Sequence, residues 1–524
     1  MKTIRWVFIR PRNHSPYYDP EIQEPLGLEY LTASRMKKGD HVLLLDAVLD
    51  SISEVKLARR AASFMPDAIG FSIMTGQEVE SATAIYHETK RALNGKKVYW
   101  LAGGNFITFE TNRALNLLPD DFILVRFEGE SALEQLAESW GSTPYTGKPA
   151  AKSFQRVIAG PQVHDLDTLH FPFRPFAHHI ENMGGAFTLQ GSRGCCGACK
   201  YCASPGARRA QAAPWRGRSM EHIVAEIAEL HHRFGAASFN FIDEDFLGPN
   251  RVSLTRAQKF VQELKRRKLK ISFSIQVRPD SLNDEIIDLL CENGLSYIFI
   301  GIESDNPADF KNWGRPWVDN PWPLIRRLQR HHVEVGAGTL LFHPDSTLNS
   351  IRRFSCTLRK YKLLNYRSAI NRMDAMPGSM FYKTEFQKEN LDRTPGPRRL
   401  PFHNKEIEAF YEDLTMALSP VGPPSMHAVC SLPPLISQCK FRNEYDDRYY
   451  ELRRIIDYLD EAVSRTLFLL LEYYETDTIE PVKVSMLRKD NFQTALTATQ
   501  DLSEHGFAIS YDTLRQAIRI DSGL

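Results

Sequence analysis

The chain has 524 residues, of which 43% are apolar, 25% charged and 11% aromatic, the balance of a protein with buried cores and not of a disordered or fibrous one. Its 65 basic and 64 acidic residues leave a formal charge of +1, and the Lys/Arg runs are no longer than a solvated helix face carries, so no nucleic-acid partner is expected. Thr466 to Leu471 falls well short of the ~20 apolar residues that span a bilayer, and Trp6 to Ile9 is too short for an export signal; a cytoplasmic protein of about three domains, with no membrane partner, is expected.

The first 140 residues alternate short apolar runs with helical patterns. Strands are predicted at Trp6 to Ile9, Val42 to Leu45, Ala68 to Ile73, Val98 to Leu101 and Phe122 to Phe127, with helices at Leu26 to Met36, Ile52 to Phe64 and Val79 to Leu93 between them. Strands separated by helices of 10–15 residues make βαβ units and a parallel sheet, so residues 1–140 read as an α/β, Rossmann-like doubly wound domain whose ligands sit at the carboxyl ends of the strands. Residues 141–185 carry Pro144, Pro149, Pro161, Pro172 and Pro175 with little periodicity and read as a linker.

A second βα series occupies 186–385. It opens with a strand at Ala186 to Leu189. A helix follows, capped by Ser219, with its apolar stripe on Met220, Ile223, Val224, Ile227 and Leu230 and its end at Gly235. Further strands are expected at Ser238 to Ile242, Ile271 to Val277, Tyr297 to Ile302 and Gly336 to Phe342, each followed by a helix. A run of about six such units favours a partial or full parallel β/α barrel. Residues 386–524, after Pro395, Pro397 and Pro401, read as a mostly helical C-terminal domain whose clearest segments are Ile407 to Leu418 and Tyr449 to Glu475.

Four of the eight cysteines fall between Cys195 and Cys202, in LQGSRGCCGACKYCASPG, directly after the strand that opens the barrel. In a reducing compartment such a cluster argues for metal or catalysis, not disulfides. Cys195, Cys199 and Cys202 are spaced C-x3-C-x2-C; Cys196 does not fit the spacing. Structural zinc prefers four ligands as two separated pairs, whereas three thiolates on one loop can hold three corners of an iron–sulfur cube and leave one iron open.

C-x3-C-x-aromatic-C after the first strand of a parallel barrel resembles the signature of radical S-adenosylmethionine (SAM) enzymes. In that family the open iron of a [4Fe–4S] cluster binds SAM, and electron transfer cleaves it to a 5′-deoxyadenosyl radical. Other segments resemble the family as well: SFNFIDEDF, with Asp243, Glu244 and Asp245; the strand ending at Gln276 and Arg278; YIFIGIES, with Glu303; TLLFHPDST, with Asp345 and Ser346 where the family has glycine and glutamate; and AMPGSMFY, Ala375 to Tyr382. The resemblance assigns the cluster to Cys195, Cys199 and Cys202 and SAM contacts to Tyr201, Asp243, Glu244, Gln276, Arg278 and Glu303.

An N-terminal Rossmann-like domain ahead of this barrel resembles the cobalamin-binding subclass of the family. Its features run in order: Pro25-Leu26-Gly27-Leu28, Asp46, PDAIGFSIMT ending at Thr75, LAGGN with Gly103, Gly104 and Asn105, and FEGE with Glu128 and Gly129. Thr75, Gly103, Gly104, Asn105, Glu128 and Gly129 are the cobalamin contacts so implied, the two glycines by admitting close approach of backbone to a corrinoid. The D-x-H-x2-G motif that supplies a lower histidine ligand in other cobalamin proteins is absent. The resemblance implies a cobalamin-dependent methyltransferase acting on an unactivated carbon of a small, natural-product-like molecule and fed by an electron donor such as flavodoxin or ferredoxin. Its rivals are a rearrangement, dehydration or epimerisation with an empty first domain, and a non-catalytic metal-binding protein.

Overall fold

The computed structural model describes residues 3–13, 23–50, 52–142, 156–182, 186–204, 213–385, 398–419, 447–504, 508–512 and 517–521; Pro144, Pro149, Pro395 and Pro397 of the proline-rich stretches lie outside them. The chain divides into two compact units.

In the first unit, β1 (Arg5–Arg10), α1 (Leu26–Lys37), β2 (His41–Asp46), α2 (Glu54–Ser63), β3 (Ala68–Ser72), α3 (Val79–Ala92), β4 (Tyr99–Gly103), α4 (Asn105–Phe109), α5 (Thr111–Leu117), β5 (Phe122–Phe127), α6 (Gly129–Ser142) and β6 (Val157–Gly160) follow one another. The strands form one sheet in the order β2-β1-β3-β4-β5-β6, with every pairing parallel. Alternate residues of β1 enter different cores, Val7 and Ile9 on one face and Trp6 and Phe8 on the other, which is why the strand is apolar from Trp6 to Ile9. Because β2 and β3 lie on opposite sides of β1, the strand order reverses there, and a crevice opens at the carboxyl ends of β1 and β3.

The stretch expected as a linker is in part structure. β6 supplies the sixth strand, and buried Arg174 pairs with Glu24 and Glu29, at 2.8 and 3.2 Å. Its four residues are too few to show strand periodicity beside Pro161.

The second unit holds β7 (Phe187–Leu189), α7 (Met220–Phe234), β8 (Ser238–Phe241), α8 (Asn250–Arg266), β9 (Ser272–Val277), α9 (Asp284–Cys291), β10 (Leu295–Glu303), α10 (Pro307–Trp313), α11 (Trp322–Arg330), β11 (Glu334–Thr339) and α12 (Leu348–Lys360). Ser219 caps α7 by accepting from the His222 amide at 3.1 Å, and Gly235 ends it in the left-handed conformation. The sheet order β11-β10-β9-β8-β7 is wholly parallel, and an isolated parallel bridge from Phe342 to Arg372 extends the series, giving a partial barrel.

The C-terminal helices α13 (Lys405–Leu418), α14 (Asp447–Glu475) and α15 (Pro481–Glu504) fall in the same compact unit as the barrel. Buried Asn491 joins all three, donating to the Ala417 carbonyl at 2.9 Å and the Thr466 hydroxyl at 3.0 Å. An antiparallel strand pair, β12 (Ala508–Asp512) and β13 (Ala517–Asp521), follows them. No helix among the described residues is long and apolar enough to cross a membrane.

Candidate functional site

The cysteine loop leaves the carboxyl end of β7. Gly197 lies between the first two motif cysteines: a methyl group built on it would stand 3.4 Å from Cys195 Sγ, 3.6 Å from Cys199 Sγ and 3.5 Å from Arg278 Nη1. Two thiols and a guanidinium thus face one point. The Gly197 amide donates to Cys195 Sγ at 3.3 Å, yet burial outweighs it and pushes the Cys195 thiol up to about 11. A coordinated cation reverses that balance, because a metal-bound thiol is deprotonated. Among the described residues no three His, Cys, Asp or Glu side chains converge as a site for a single metal ion, and an iron–sulfur cube does not ask them to, since it takes its thiolates on separate irons.

The acidic run after β8 divides by role. Asp243 is buried and accepts from the Gly191 amide at 2.9 Å and the Ser192 hydroxyl at 2.5 Å, so it ties the start of the cysteine loop to the neighbouring strand. Glu244 is exposed. Asp245 is fully buried, and burial pushes its carboxyl up to about 7 against the pull of Arg278. The exposed Gln276 accepts from the Phe246 amide through its backbone carbonyl, at 3.0 Å. Arg278 forks onto Asp280 at 2.9 and 2.5 Å while its other terminal nitrogen stands by Gly197.

At the end of β10 the register with β11 shifts between Gly301 and Glu303, and Glu303 adopts φ 65, in the left-handed region. Its carboxylate pairs with Arg315 at 3.3 Å. The same guanidinium donates to the Gly301 carbonyl at 2.6 Å, the Tyr201 hydroxyl at 3.3 Å and Cys199 Sγ at 3.7 Å. Burial, and then the nearby Glu303 charge, raise the Tyr201 hydroxyl above its ordinary range. Arg315 carries no signal in the sequence, since its partners Cys199 and Tyr201 lie 116 and 114 residues away.

In the first unit, Thr75 is half-buried beyond β3, and its hydroxyl accepts from Asn13 Nδ2 at 3.1 Å across the β1/β3 crevice. Close by, buried Glu78 accepts from the Met74 amide at 2.6 Å, and burial pushes its carboxyl up to about 7. Gly103 leaves room for a side chain, since a Cβ there would meet only the Val125 carbonyl, at 3.5 Å. Gly104 does not: it adopts φ 107, and a Cβ would fall 2.4 Å from the Ile73 carbonyl oxygen. Besides the room for a cofactor expected of it, this glycine answers a nearer demand within the backbone. Asn105 is exposed at the head of α4. Glu128 is engaged inside the unit by Arg216, at 2.5 Å, and by the Val163 amide, at 2.8 Å. A Cβ on Gly129 would press on Leu31 at 3.2 Å.

Residues 189–354, from the end of β7 into α12, match the Radical SAM superfamily, and residues 20–137 match the B12 binding domain. The chain carries a radical SAM domain and, ahead of it, a B12 binding domain. This radical SAM protein is 25% identical over 297 residues to an uncharacterized methyltransferase of Pyrococcus horikoshii, covering 54% of the chain and 61% of that protein. It is 26% identical over 327 residues to an anaerobic magnesium-protoporphyrin IX monomethyl ester cyclase of Synechocystis, covering 59% and 62%. The radical SAM chain therefore spans about three fifths of the length of these curated relatives. Its fold is similar to that of OxsB, a cobalamin-dependent SAM radical enzyme solved with aqua-cobalamin and SAM, at TM-score 0.70 and 16% identity over 96% of this chain and 80% of that one. Domains of these two families are those that hold a [4Fe–4S] cluster, SAM and cobalamin, and two features of the chain fit those groups: thiols facing a shared point at Gly197, and room beside Gly103 at the carboxyl end of β4.

Proposed function

We propose that this radical SAM protein is a cobalamin-dependent methyltransferase acting on an unactivated carbon of a small, natural-product-like molecule. The observation that carries the reading is the shared point at Gly197, which the Cys195 and Cys199 thiols both face, in a chain that also has a B12 binding domain. Cys195, Cys199 and Cys202 would each hold one iron of a [4Fe–4S] cluster. We assign Tyr201, Glu244, Gln276, Arg278 and Glu303 to SAM, with Asp243 fixing the loop that presents it. Thr75, Gly103 and Asn105 are assigned to cobalamin, with Gly104, Glu128 and Gly129 shaping the turns that carry them. When bound, the cluster and SAM supply an electron and a 5′-deoxyadenosyl radical, and cobalamin a transferable methyl group.

The chain's own residues bind and orient. Arg278, forked on Asp280, offers its remaining donor to a carboxylate at the cysteine pair. Asp245, held near neutrality, places a carboxyl beside it that can exchange a proton at working pH. Three thiolates require a reducing compartment, so we assign the protein to the cytoplasm, with flavodoxin or ferredoxin as the class of electron donor.

A second reading is radical rearrangement, dehydration or epimerisation without methyl transfer, favoured by the likeness to the Synechocystis cyclase. Anaerobic reconstitution with iron, sulfide and hydroxocobalamin, followed by reduction with isotopically labelled SAM, separates the two. Label transferred to an acceptor together with a corrinoid absorbance band supports methyl transfer. Formation of 5′-deoxyadenosine without corrinoid uptake supports the second reading, and neither product from a protein that takes up no iron overturns both.

A further inference from the structure

We infer that Arg315 is a positioning residue of the iron–sulfur site: it holds the segment from Cys199 to Tyr201 in place and sets a fixed positive charge beside the Cys199 sulfur. The inference rests on the cluster reading proposed above. Nothing in the family segments of the sequence points to this residue.

The contacts come from three stretches of chain that meet only in the folded protein. Arg315 donates to Cys199 Sγ and the Tyr201 hydroxyl on the cysteine loop and to the Gly301 carbonyl on β10, and it pairs with Glu303 beyond it. Its side chain is 11% exposed. A surface arginine making a single ion pair would swing between rotamers in water; one tied to buried Cys199 and to half-buried Tyr201, Gly301 and Glu303 is held in one place.

The sequence around it is built to aim it. Asn306 caps α10 by accepting from the Ala308 amide, and Pro307 starts the helix where a missing N–H does no harm. Gly314 ends it in the left-handed conformation, with its own amide on the Lys311 carbonyl and the Arg315 amide on the Phe310 carbonyl. That paired pattern is a Schellman end, which fixes the direction in which the next residue leaves the helix. The same helix end grips the cysteine loop from behind: the Lys200 amide donates to the Trp313 carbonyl and its ammonium to the Asn312 carbonyl, each at 2.8 Å. On the strand side, Gly301 makes the room. A Cβ there would fall 2.7 Å from Arg315 Nη2 and 2.8 Å from Glu303 Oε1, closer than carbon can stand.

Donors to a ligating sulfur and cations near it favour the reduced, more negative state of an iron–sulfur cluster. Arg315 supplies both to Cys199. Without it the Lys200 bonds to Trp313 and Asn312 still hold the loop, so the three thiols should remain able to ligate while the cluster becomes harder to reduce.

The test compares wild type, Arg315→Gln and Arg315→Lys, each reconstituted anaerobically with iron and sulfide. Iron content, far-UV circular dichroism and the midpoint potential of the cluster, from a mediated titration read by electron paramagnetic resonance, are measured. Expected are about four irons per chain in all three, a potential clearly more negative in Arg315→Gln, and an intermediate one in Arg315→Lys, whose ammonium keeps the charge but cannot reach four partners. A folded Arg315→Gln with the wild-type potential overturns the inference. Should Arg315→Gln not fold, Arg315→Lys decides: a shifted potential supports the assignment and an unshifted one overturns it. A wild-type chain that takes up no reducible cluster overturns the cluster reading itself, and the inference with it.

Discussion

Gly104 stands so close to Ile73 that no side chain fits between them: a Cβ on the first would lie 2.4 Å from the carbonyl oxygen of the second. Gly104→Ala should therefore destabilise the first unit by about 2–4 kcal/mol, through clash and a left-handed backbone together, and says nothing of a cofactor. Gly103 is the informative position. Its open side makes Gly103→Val expected to fold with a melting temperature near wild type while hydroxocobalamin uptake falls at least tenfold. Retained uptake at wild-type affinity, measured by corrinoid absorbance after gel filtration, would remove Gly103 from the cobalamin site.

Replacing Cys195, Cys199 or Cys202 singly by alanine should abolish cluster absorbance and SAM cleavage, because three protein ligands leave none to spare. Cys196→Ala should keep both. A cluster that survives Cys195→Ala and is lost in Cys196→Ala would reassign the first ligand.

Glu303→Gln keeps the shape of the side chain and deletes its charge. If the carboxylate binds SAM directly, the dissociation constant should rise roughly ten- to a hundred-fold, the equivalent of a charged hydrogen bond worth about 1.5–3 kcal/mol, while iron content stays at the wild-type level. An unchanged constant by calorimetry would confine Glu303 to its pairing with Arg315.

Asp460 on α14 is pushed up to about 7 by burial, against the lowering influence of Arg453 and with Asp457 and Glu334 adding to the rise. A carboxyl raised in the folded state holds its proton there after the unfolded chain has released it. Its contribution is fully present below about pH 4 and is lost as pH climbs through about 7. Asp460→Asn should thus match wild type near pH 4 and exceed it by about 1–2 kcal/mol at pH 8 in denaturant titrations, an allowance being made for solvent that reaches the group. Equal stability at both pH values would remove Asp460 as the source of that pH dependence.

Much of this architecture was legible from one-dimensional pattern. Phe122 to Phe127 opens with four apolar residues, as a buried strand does, and Ser219 and Gly235 bracket a helix by their own local chemistry. The spacing of Cys195, Cys199 and Cys202 is likewise a local fact. What escaped reading depends on residues distant in sequence. Arg315 looks like any arginine after a glycine until Cys199 and Tyr201 are brought to it. Glu128 reads as a strand-end ligand until Arg216, 88 residues on, occupies it. Gly104 and Gly103 are alike in sequence and differ only because Ile73 lies against one of them.

The backbone of Glu303 carries a consequence for stability engineering. A φ of 65 in a residue with a side chain is strained by about 1 kcal/mol or more, and glycine at that place would be free of the strain. Glu303→Ala and Glu303→Gly lose the same pairing with Arg315, so the difference in their melting temperatures isolates the backbone alone, and the glycine variant should melt higher. A search for thermostable variants of this chain that scored folding alone would be drawn to glycine at 303, and would remove the carboxylate from the mouth of the barrel in doing so.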